Sequence, residues 1–127
     1  MINKRNMDNY PKRVPFGTYE VKVEKLELVQ SKAGDPMVSA WFKVLQGEYK
    51  GSLIFMNQVI TQNWQVKIIN EFSQDLGTDL TIEFVTYTQY GYLLRDIAKA
   101  VLNKKFQLDY QENYCKAIPL LIHGNQG

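Results

Sequence analysis

A small, mainly β barrel carrying helices is the fold class this sequence predicts, and three observations predict it. Residues 16–60 hold three runs of alternating apolar residues joined by two short turns. Residues 61–105 contain two segments with helical spacing, and residues 106–118 return to alternation. A period of two is what a strand with one buried face requires, whereas a helix repeats near 3.6 residues.

In the first run Tyr19, Val21 and Val23 fall on odd positions with Glu20, Lys22 and Glu24 between them, but after Lys25 the apolar set moves to Leu26 and Leu28. A strand changes its buried face only by accommodating an extra residue. The sequence therefore predicts a bulge near Glu24 or Lys25, and with it a sharp bend. Gly34 and Pro36 mark a turn over residues 30–35, because Pro holds the preceding residue extended. In the second strand Val38, Ala40, Phe42 and Val44 form a core face. Met37, Ser39, Trp41 and Lys43 form the other. That second face has two readings, a stacking platform or a small second core under a helix. A hairpin loop over residues 46–51 leads to a third strand, residues 52–60, so apolar on both sides that both are expected to be covered.

Residues 61–76 place Trp64, Ile68, Phe72 and Leu76 four apart with Ile69 alongside, which predicts a helix with Trp64 as a core anchor in preference to a ligand contact. Thr61 or Asn63 is the expected cap, and Gly77 the left-handed closing residue. Residues 79–89 read either as a short strand or as an extended connection. A second helix is expected over residues 92–102, preceded by Tyr87, Tyr90 and Tyr92, for which packing under the loop is the first reading and nucleotide stacking the second. Phe106, Leu108 and Tyr110 alternate as a fourth strand, and residues 114–118 return as a fifth that Pro119 interrupts.

This order matches a five-stranded OB-like Greek-key barrel with a two-helix insertion between strands three and four. An α+β sheet with helices on one face is the alternative. The chain of 127 residues, 45% apolar, divides into a flexible basic arm, residues 1–15, and a single domain, residues 16–127. The arm holds Lys4, Arg5, Lys12 and Arg13 against Asp8, so the rest of this chain of net charge +2 is slightly acidic. The sequence lacks a signal-peptide centre and a run long enough to cross a bilayer, which predicts a cytoplasmic protein without membrane contact. Cys115 and His123 are the only Cys and His, too few for a structural zinc site or an internal disulfide. Phosphate-loop, nucleophile-elbow and zincin motifs are absent, so neither an enzyme nor a cofactor is expected.

Binding single strands asks only for cations along a backbone and aromatic faces for bases. The candidate residues are Trp41 and Lys43 on the second strand, Lys22 and Lys25 on the first, and Lys32 in the first loop. Tyr49 and Lys50 in the second loop join them, with Lys12 and Arg13 in the arm. A protein-interaction module using the Trp41 and Met37 face, without nucleic-acid affinity, is the alternative.

The run Val14-Pro15-Phe16-Gly17-Thr18-Tyr19-Glu20-Val21-Lys22-Val23 is joined by Lys32-Ala33-Gly34-Asp35-Pro36-Met37, Gly47-Glu48-Tyr49-Lys50-Gly51 and Ile54-Phe55-Met56-Asn57. Together they resemble a family of small phage-encoded proteins of replication and recombination modules, long catalogued as a domain of unknown function. The resemblance spans residues 14–110, about three quarters of the chain. It implies an OB-like protein that coats single-stranded DNA in the host cytoplasm, with phage or host replication proteins as further partners. Many such binders end in an acidic tail, whereas residues 120–127 hold no acidic residue. Strand edges of such barrels also pair, so a homodimer or higher homo-oligomer is an expected form.

Overall fold

The structure is a computed structural model and describes residues 13–120. Its elements are β1 (Gly17–Gln30), β2 (Pro36–Val44), β3 (Leu53–Val59), helices α1 (Asn63–Asp75) and α2 (Tyr87–Ala100), β4 (Phe106–Tyr110) and β5 (Cys115–Pro119). The strands form one antiparallel sheet in the order β3-β2-β1-β4-β5. The fold is mainly β with two helices.

The register of β1 against β2 shifts between Val23 and Lys25, where the change of apolar parity predicts a bulge. Val21, Val23 and Leu26 are consequently all buried. β1 pairs with β4 only from Gly17 to Val21, while its pairing with β2 runs from Val21 to Gln30. The bend thus falls just beyond the point where β4 stops. Val38, Ala40, Phe42 and Val44 line the buried side of β2, facing Ile54 of β3. Phe106, Leu108 and Ala117 continue that layer through β4 and β5, and Val14 joins the core ahead of β1.

The sheet is open, which corrects the expectation of a closed barrel: β3 and β5 are its edges, and no ladder joins them among the described residues. β5 is five residues long and ends in Pro119, which has no N–H to donate. α1 instead packs on β5 and touches β3, so a helix meets both edges. Lys116 of β5 reaches Asp75 of α1 at 3.3 Å.

The buried side of α1 consists of Ile69, Phe72 and Ser73, continued by Leu76 at its C-cap, with Phe72 edge-on to Phe42 at 5.9 Å. Trp64, expected as a core anchor, is 61% exposed. Residues four apart advance 400° around the axis, so a row of them slews by about 40° per step and its first member leaves the seam. Gln65 Oε1 accepts the backbone N–H groups of Thr61 and Gln62, both at 2.9 Å, so the helix begins after Gln62 rather than after Thr61 or Asn63. Gly77 closes the helix at φ +74°, in the region an L side chain rarely enters.

Residues 78–86 form no strand; they run as a connection whose Ile82 and Phe84 lean on the core. α2 starts five residues before the expected Tyr92 because Thr86-Tyr87-Thr88-Gln89 is a capping box. Thr86 Oγ1 accepts the Gln89 N–H at 3.0 Å, and Gln89 Oε1 accepts the Val85 N–H at 2.8 Å. Tyr90, Leu93, Leu94 and Ile97 are its buried face. The three tyrosines expected as one packed cluster therefore divide. Tyr90 is fully buried and donates to Asn70 Oδ1 of α1, while Tyr87 and Tyr92 are exposed. Tyr87 also donates to the Ile60 carbonyl at 2.8 Å, tying α2 to the end of β3.

Two outcomes follow from this packing. Tyr90→Phe removes the one side-chain hydrogen bond between the helices and leaves Asn70 short of a partner; urea unfolding should show a loss of about 1–2 kcal/mol with an unchanged denaturant slope. Burial, with Asp109 adding to it, pushes the Cys115 thiol up to about 11. At pH 8 the folded protein should react with a disulfide reagent on the order of 100-fold more slowly than the urea-unfolded chain, since the thiolate is the nucleophile.

Candidate nucleic-acid interface

Strand alternation sends Met37, Ser39, Trp41 and Lys43 away from the core, and the β3 register sets Leu53, Phe55 and Asn57 beside the last three of them. Trp41 pairs directly with Phe55, their rings edge to face at 5.4 Å and 87°. Trp41 is half-buried by such neighbours, and Phe55 is 52% exposed. The expectation that both faces of β3 would be covered is thus corrected: one packs on the core, and the other presents an aromatic ring to solvent.

The bulge brings Lys25 opposite Trp41, with Nζ 4.3 Å from the ring centroid. An ammonium over an indole is worth roughly 0.5–1 kcal/mol at an exposed site. Two positions along the ladder, Lys22 stands opposite Lys43. Two like charges in one cross-strand pair are destabilising, and an anion laid across both relieves the repulsion. β2 and β3 carry no carboxylate at all. The acidic groups of this face come from β1, where Glu24 lies 3.8 Å from Lys22 and Glu27 lies 3.7 Å from Lys25.

The structure thus brings four of the sequence-derived candidates together: Trp41, Lys43, Lys22 and Lys25. Lys32 is exposed in the β1–β2 turn and Lys50 in the β2–β3 turn, at the borders of the same hairpins. Tyr49 is not part of the platform. It packs against the core, edge-on to Tyr19 at 6.3 Å. Arg13 is exposed ahead of β1, and Lys12 lies outside the described residues. Phe55 is a further candidate that the sequence alone does not single out. Its parity alone resembles core, and only the ladder register reveals that its partner is Trp41.

Among the described residues, no group of three or more His, Cys, Asp or Glu side chains is placed to hold a metal ion. No helix among them is long and apolar enough to cross a membrane. No curated protein matches the chain. The family model described as "Protein of unknown function (DUF669)" matches residues 3–117. With that match running through β1 to β4, both helices and the first three residues of β5, the chain belongs to the DUF669 family.

Proposed function

We propose that this protein binds single-stranded DNA without strong sequence preference, through the outer face of β1, β2 and β3, as a component of phage DNA replication or recombination. The observation that carries the reading is the pairing of an aromatic pair, half-buried Trp41 with exposed Phe55, with lysines 22, 25 and 43 on the same face of the ladder. Aromatic faces stack on any base, and ammonium groups follow the phosphates, so this chemistry is indifferent to sequence. A long β1 bent at a bulge, with a third strand beside the second, also supports reading the open sheet as a partly open OB barrel. In that fold strands two and three form the usual binding face. The phage setting rests on the sequence resemblance. Binding requires no turnover, so the protein acts here as a non-enzyme.

One observation favours a second reading, an interaction module without nucleic-acid affinity: Glu24 and Glu27 already pair with Lys22 and Lys25. Exposed pairs of this kind are worth little, and the lysines exchange them readily for phosphates.

Fluorescence anisotropy with labelled oligo-dT decides between the two. If about 3–5 phosphates are neutralised, log affinity should fall with log salt at a slope of about −2 to −3.5. No binding at low salt by the folded protein would rule the DNA reading out and leave the interaction module. Phe55→Ala, at an exposed position, should weaken binding by about 1–3 kcal/mol with little change in melting temperature. Trp41→Ala should weaken it as much or more, and Lys43→Ala should flatten the salt slope by about 0.7.

A further inference from the structure

Among the described residues, β1 beyond Val21 has no strand partner on the side that β4 occupies earlier, and α2 packs along this stretch instead, with Gly91 against Leu28. Between the strand and the helix lies an open groove of about 540 Å³. That volume is of the size that holds a drug-sized ligand or a nucleotide. Tyr87, Tyr92 and Arg95 line it from α2, and Glu24, Lys25 and Glu27 line it from β1. Tyr92 is 60% exposed, and the Arg95 guanidinium stands 5.7 Å from its ring. Neither side chain serves the core, whose α2 members are Tyr90, Leu93, Leu94 and Ile97.

Lys25 belongs to both places. It lines the groove, and its ammonium covers the Trp41 ring. From this continuity we infer that the path of a bound single strand passes from the Trp41–Phe55 face over Lys25 into the groove, where Tyr92 stacks on a further base and Arg95 holds a phosphate. The inference rests on the single-strand reading above and extends it to a face that usual OB binding does not use.

The occupant is a nucleotide rather than a peptide strand added to the β1 edge because of what the helix wall offers. A planar ring and a guanidinium side by side match a base and its phosphate. A peptide strand would draw on the backbone edge and leave both without a partner. Glu24 and Glu27 oppose phosphate on the strand side, although each lies within 4 Å of a lysine. They direct the phosphate toward Arg95 and Lys25 and leave the Tyr92 ring to the base.

Two measurements on the full chain test this. Oligo-dT carrying 5-iodouracil is irradiated in complex with the wild-type protein, and the adducts are mapped by mass spectrometry. Adducts are expected on Tyr92 as well as on Trp41 or Phe55. In anisotropy titrations Tyr92→Ala should lose on the order of 10-fold in affinity. Arg95→Ala should weaken binding and flatten the salt slope by about 0.7, the value for one phosphate of a single strand. Both side chains are exposed, so circular-dichroism melting should remain near wild type. Adducts confined to β2 and β3, with Tyr92→Ala and Arg95→Ala binding like wild type while Phe55→Ala loses affinity, would overturn this inference alone. Failure of the wild-type protein to bind at low salt would instead overturn the reading it rests on.

Discussion

The register shift between Val23 and Lys25 is the constraint on which the rest of the molecule depends. An unbroken ladder would keep one parity, sending either Val21 and Val23 or Leu26 and Leu28 out to solvent. One inserted residue lets both sets face inward, at the cost of a local break in pairing that the bend itself uses. The same insertion turns Lys25 outward onto Trp41. A single backbone irregularity thus serves the core on one side of β1 and the candidate interface on the other.

The helices answer a problem that the strands leave open. A five-stranded sheet with short β4 and β5 has two edges and an uncovered apolar side, and exposed edges invite pairing with other chains. α1 covers the interval by touching both β3 and β5, and α2 shields the half of β1 that β4 does not reach. The two helices are joined at Tyr90 and Asn70, inside the structure. The sheet stays open, and side-chain packing of a helix spans its two edges where a full barrel would use a ladder of backbone hydrogen bonds.

Charge is distributed in keeping with that division. The acidic groups of this outer face belong to β1 and lie within reach of lysines, while β2 and β3 offer aromatic, apolar, uncharged polar and cationic groups and no carboxylate. Such a surface has low net charge and little long-range steering. Its affinity for a polyanion would come from short-range contact: stacking, together with ammonium groups released from weak local pairs.

Alternation and turn residues were sufficient to determine the five strands, the bulge, the buried side of β2 and the place where α1 ends, because each depends on neighbours within a few positions of the chain. Trp41, Lys43, Lys22 and Lys25 were legible as one face for the same reason, since period and parity decide which side of a strand a residue takes. Reading the sequence alone misplaces the start of α2 at Tyr92: the Thr86 to Gln89 capping box carries the signal for the earlier start, but the tyrosine-rich composition around it suggests a loop. Other features needed the folded chain. That Phe55 stands beside Trp41 depends on the β2–β3 register, that Trp64 leaves the core depends on how α1 rotates against its neighbours, and that Tyr49 turns toward Tyr19 depends on the path of a loop. Whether the sheet closes depends on whether β3 and β5 pair, strands separated in the chain by both helices and β4. Contacts between such remote segments have no local signature, because their energy exists only once the whole sheet is assembled.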